Sequence, residues 1–158
     1  MAHYVKLSEK PDCKFISSSR TNKCWIFIHS SKGRLNVVVN GTEIEQGSCL
    51  LIINPDFEIG SLKFSEDFKG SALTLPECIV VRGDYPVGVE FLESNTKCPF
   101  LSMAGMQGRA ASRIIKNYFT LIKDCLKNGS NDESDMEELH LCKAFLKYCE
   151  YLYSKKSI

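Results

Sequence analysis

Residues 24–53 read CWIFIHSSKGRLNVVVNGTEIEQGSCLLII, and the alternation of short apolar runs with turn residues in this stretch decides the fold. Val, Ile, Phe and Trp crowd into runs of four to six residues, which is the pattern of strands. Cys24 to His29 is the first, and Ser30 to Gly33 turns the chain into Leu35 to Val39. Asn40-Gly41 then predicts a type I′ hairpin, because both central residues of that turn need positive φ. Thr42 to Glu45 pairs back, Gln46-Gly47 turns again, and Cys49 to Ile53 follows. Beyond it, Asn54-Pro55-Asp56 interrupts pairing, since proline brings no ladder donor. Two more strands are expected, Glu58 to Phe64 and Lys69 to Leu75. So many short strands at this spacing predict a barrel or a sandwich. On the first strand Trp25, Phe27 and His29 share one face, while Cys24, Ile26 and Ile28 share the other.

On either side of this region the pattern changes. Residues 1–23, with serines at 17 to 19, read as an N-terminal arm or edge segment with little regular structure. From about Met103 the apolar residues recur at three- and four-residue steps: Ile114, Ile115, Tyr118, Phe119, Leu121, Ile122, Cys125 and Leu126 predict an amphipathic helix. Asn128-Gly129 closes it, and the acidic run that follows suits the N-terminus of a second helix. The two make an antiparallel hairpin. In the second helix Leu139, Cys142, Leu146, Cys149 and Tyr153 have the spacing of a coiled-coil seam, widened by Phe145, Tyr148 and Leu152. That stripe either covers the β-region or joins two copies of the chain. The expected organisation is therefore an arm (1–23), a β-region (24–102) and a helical hairpin (103–158), mostly β with C-terminal α.

Composition narrows the function. The chain has 158 residues, with 20 basic against 19 acidic side chains and a net charge of +1, so no overall field favours nucleic acid or a membrane surface. Eight cysteines contain no CxxC pair, and His3, His29 and His140 are far apart in sequence, which argues against a zinc site. The first residues lack the apolar core of a signal peptide, so reduced thiols and a cytoplasmic location are expected. Asn40-Gly41-Thr42 and Asn128-Gly129-Ser130 then read as turns rather than glycosylation sites. No apolar run is long enough to span a bilayer. GxGxxG, GxxxxGK[ST] and GxSxG are all absent.

From Trp25 to Pro76 the order of features resembles the cupin-like N-terminal effector domain of arabinose-regulator (AraC/XylS-type) transcription factors. The most specific parts are GSCLLIINP at 47–55 and SEDFKGSALTL at 65–75. The resemblance implies a jelly-roll barrel followed by two helices that pack on it and dimerise. It also implies a sensor of a small-molecule effector, with DNA bound only through a helix-turn-helix domain expected beyond this chain. Metal-binding cupins carry an HxH pair and a later histidine. Here Ser30 and Ser31 follow His29, and Asp56, Phe57 and Glu58 follow Pro55, so no metal or other cofactor is expected. If Trp25, Phe27 and His29 point into the barrel, Trp25 stacks on a sugar-like or planar ligand and His29 orients it; otherwise Trp25 is core and His29 a satisfied interior histidine. Leu139, Cys142, Leu146, Cys149 and Tyr153 are the expected dimer seam. The rival readings are a metal-free cupin enzyme using Glu43, Glu45 or Glu58 beside His29, and a structural dimer module with a filled barrel.

Overall fold

A computed structural model describes residues 2–7, 16, 22–129 and 131–156. In chain order the strands are β1 (His3–Leu7), β2 (Cys24–Lys32), β3 (Leu35–Val39), β4 (Thr42–Gln46), β5 (Cys49–Ile53), β6 (Ile59–Phe64), β7 (Lys69–Pro76) and β8 (Phe100–Ser102). The helices are α1 (Glu77–Val81), α2 (Val89–Lys97), α3 (Gly105–Lys127) and α4 (Asp132–Lys156). All strand pairs are antiparallel. They form a five-stranded sheet of order β1-β7-β2-β5-β8 and a three-stranded sheet of order β4-β3-β6. Among the described residues no ladder joins the two, so the closed barrel expected from the sequence is instead a pair of facing sheets.

The five-stranded sheet is the middle of three layers. On one side Ile26, Ile28, Leu51, Ile53 and Ala72 pack against Leu35, Val37, Val39 and Ile44 of the smaller sheet. On the other, Trp25, Phe27, Leu50, Ile52, Leu73 and Leu75 pack against Ile115, Phe119, Ile122, Phe145, Leu146 and Cys149 of the helices. Burial on both faces explains why CWIFIH and CLLII are continuous apolar runs rather than alternating ones. Each large side chain so buried contributes about 1.5–3 kcal/mol of transfer free energy.

Turn and cap chemistry follow the sequence closely. Asn40 and Gly41 have φ of +50° and +80°, and Val39 pairs with Thr42 across them. Gly129, φ +82°, follows the end of α3. The Asn131 side chain accepts the Ser134 backbone N–H at 2.8 Å, which caps α4.

Three features depart from expectation. His3–Leu7 is a regular strand at the edge of the large sheet, on β7, within a segment read as an arm or edge segment with little regular structure. Residues 8–15 and 17–21, which include the serines at 17 to 19, lie outside the described residues. The strand beginning at Cys24 runs to Lys32, past the turn expected at Ser30, with an irregularity between Ser30 and Lys32. Within 24–102, Glu77–Val81 and Val89–Lys97 are helical. The first of these is ECIVV, a β-branched run whose local preference is for a strand; tertiary packing of Val80 into the helix-side core overrides it. In α2, Phe91 and Asn95 are buried one turn apart. Asn95 Nδ2 donates to the Ile52 carbonyl at 3.0 Å, and the Tyr153 hydroxyl donates to the Cys98 carbonyl at 2.8 Å, which ties α2, β5 and α4 together.

Candidate functional site

His29 lies on the helix-facing side of β2 and is 3% exposed. Its Nε2 is 2.6 Å from the Ser112 hydroxyl on α3, and its ring meets Phe119 edge-on at 6.2 Å. Burial, and secondarily the Lys116 ammonium, lower its pKa to about 4. The imidazole is therefore neutral at pH 7, a hydrogen-bonding group rather than a cation.

Beside His29 opens a cleft of about 670 Å³ between α3 and the β1-β7-β2 edge of the large sheet. Its size is that of small-molecule sites. Leu7, Phe68 and Phe119 supply apolar wall, and Lys6, Lys32, Lys69 and Lys116 supply four ammonium groups. Glu66 and Asp67 also line it. Asp67 accepts the Ser65 hydroxyl at 2.7 Å, which holds its carboxyl below the usual range, with Lys32 a smaller cause. Lys32 and Lys69 are register partners on β2 and β7, just past the irregularity after Ser30, so two like charges are carried at paired positions of neighbouring strands. Gly70, at the cleft, has no room for a Cβ, which would fall on the His29 carbonyl oxygen and close to the Phe68 ring.

The residues expected from sequence are distributed differently. Trp25, Phe27 and His29 do share a face, but it is turned to the helices; the space between the sheets is filled by Ile26, Ile28 and their neighbours. Trp25 packs on Phe91, ring centroids 6.0 Å apart, and lines a separate hollow with Pro55 and Leu92. Phe27 meets Phe145 edge-on at 5.1 Å. Of the three, only His29 borders the large cleft. Cys142, Leu146, Cys149 and Tyr153 of the expected dimer seam are buried in this chain's own core, and Leu139 is 37% exposed. Burial pushes the Cys142 thiol up to about 12. Ile114 and Leu121 on α3 and Tyr151 on α4 are the large apolar groups that these helices leave open to solvent beside Met106, Met136 and Leu139.

Glu43, Glu45 and Glu58 are exposed and are not gathered at His29. Glu43 accepts from Asn36 at 2.7 Å, Glu45 pairs with Arg34 at 3.2 Å, and the His29 hydrogen bond goes to Ser112. Among the described residues no three His, Cys, Asp or Glu side chains converge in a way that could hold a metal ion.

The sequence reading missed Ser112 and the four lysines. The lysines come from β1, β2, β7 and α3, and only the pairing register and the packing of α3 bring them together. No local motif records that convergence.

The class this architecture defines is two facing antiparallel sheets followed by packed C-terminal helices. No protein-family model and no curated protein matches the sequence. Among solved structures, the chain is similar to that of the AraC-like transcriptional activator CuxR, with a TM-score of 0.54 and 13% sequence identity. The match covers 95% of this chain and 48% of that one, so this chain spans about half the length of the structure it matches. At this identity the likeness is one of fold. Among the described residues no helix is long and apolar enough to cross a membrane.

Proposed function

We propose that this chain is the sensing and dimerisation part of a transcription regulator of the AraC type, acting in the cytoplasm. The observation that carries the reading is the likeness of fold to an AraC-like activator over 95% of this chain. The facing sheets are then an opened counterpart of the cupin-like jelly roll. In this reading DNA binding is assigned to a helix-turn-helix domain of the kind the sequence resemblance implies, not to the described residues. No catalytic role is assigned, because the three glutamates that would serve an enzyme are turned to solvent away from His29.

The effector site in this reading is the cleft at His29, not the space between the sheets, which is packed with aliphatic side chains. Dimerisation uses the outer face of the helix pair, where Ile114, Leu121 and Tyr151 remain exposed, since Leu146 and its neighbours are already buried within the chain.

Light scattering tests the dimer. The wild-type chain is expected to be a dimer, and Leu121→Glu a folded monomer. Leu146→Glu, by contrast, places a charge in a site 1% exposed and is expected to lose the helical circular dichroism signal. A monomeric wild-type chain, or a dimer unaffected by Leu121→Glu, overturns this assignment.

A further inference from the structure

We infer that the cleft between α3 and the β1-β7-β2 edge binds a small organic anion bearing more than one negative charge, a phosphate or carboxylate compound, through Lys6, Lys32, Lys69 and Lys116. The inference rests on the sensing role proposed above and names the chemical class of the effector.

Three observations point the same way. First, charge is concentrated here against the trend of the molecule. The whole chain carries +1, whereas this one cleft has four lysines against Glu66 and Asp67. Among the described residues none of the four ammonium groups forms an ion pair within 4.0 Å. Secondly, Lys32 stands opposite Lys69 in the ladder, an arrangement that like-charge repulsion disfavours in the free protein. An anion seated between them removes that repulsion, so its binding is favoured by more than simple attraction. Thirdly, the floor is not merely polar surface. Leu7, Phe68 and Phe119, themselves buried, underlie it with apolar rather than polar groups, and neutral His29 sits at its edge. Desolvating the carbon part of an organic anion there strengthens the contacts its charged groups make with the lysines.

The experiment is calorimetric titration of the whole chain with fructose 1,6-bisphosphate, with citrate and with arabinose at fixed ionic strength. Comparing the bisphosphate with citrate separates phosphate from carboxylate recognition, and arabinose is the neutral control. Binding of either anion is expected, weakening as salt is raised, because the lysines are exposed and their field is screened. Lys69→Gln and Lys116→Gln are each expected to weaken it about tenfold, the effect of roughly 1.4 kcal/mol. Lys63→Gln, an exposed lysine outside the cleft, leaves affinity unchanged. Lys69→Gln is also expected to raise the melting temperature of the free chain, since it removes the opposed charge; a merely structural lysine would not stabilise the chain when lost. No heat with either anion at millimolar concentration, or undiminished binding in both variants, overturns the inference. So does arabinose binding with the same lysine dependence. The two readings fail separately. A dimer that binds no anion retains the regulator reading and loses the cleft. A monomer that binds anions through these lysines retains the cleft and loses the dimeric regulator.

Discussion

The two sheets differ in strand chemistry as they differ in environment: CWIFIH and CLLII of the larger are continuous apolar runs, whereas TEIEQ and IGSLKF of the smaller mix apolar with polar residues. In the three-stranded sheet the burial of β3 alternates, with Leu35, Val37 and Val39 turned to the core and Asn36 and Val38 half-buried on the outer face. In the five-stranded sheet β5 is buried at every position and β2 at six consecutive ones, Trp25 to Ser30. The smaller sheet is an outer layer with one wet face; the larger is a middle layer, covered on both faces along β5 and the first part of β2 and open only at its β1-β7-β2 edge. A polar residue on the first needs only water. On the second water is excluded: His29 finds a partner in Ser112 and stays a neutral imidazole, whereas the Ser30 hydroxyl, buried on the same strand, has no hydrogen-bond partner among the described residues.

The largest effect in this contrast is expected at Phe27. It is fully buried against Phe145 on the helix side. Phe27→Ala should lower unfolding free energy by about 3–5 kcal/mol in urea titrations, a cavity effect. A loss below 1 kcal/mol would mean that the helices do not cover this face in solution.

His29 sharpens the comparison through pH. Its folded pKa lies near 4, below the ordinary value of 6.5. Between those values the unfolded chain binds more protons than the folded one, so stability falls as pH is lowered from about 6.5 toward 4. The slope attributable to this residue is about 1.4 kcal/mol per pH unit. His29→Gln should flatten the dependence across that window, read from urea unfolding at several pH values. An unchanged slope would place the imidazole in solvent.

The smallest effect belongs to the wet face. Asn36 donates to Glu43 there at 2.7 Å, and Asn36→Ala should change stability by about 0.5 kcal/mol or less. A loss as large as that of Phe27→Ala would mean that something covers the outer sheet.

Much of this was legible without coordinates. The ranges of β3 and β5 follow directly from the sequence, as does the Asn40-Gly41 hairpin. So do the pairing of α3 with α4 and the shared face of Trp25, Phe27 and His29. Which way that face points was not legible, because a strand buried on both sides has no polar face to declare its outside. The seam of α4 was likewise ambiguous: Cys142, Leu146, Cys149 and Tyr153 have the same spacing whether they meet a second copy or the chain's own sheet, and they meet the sheet. Ser112 was invisible beside His29, since 83 residues separate them.

Turn glycines, caps and side-chain periodicity act within a few residues, so β3, β5, the Asn40-Gly41 hairpin and the helix pair are written in the order of the chain. The helical state of ECIVV at 77–81, the contents of the core, the stripe used up in packing and the meeting of the lysines come from the fold as a whole. Those outcomes depend on the layering of one sheet between another sheet and a helix pair. That layering is set by total burial over the whole chain, a quantity that no short segment carries.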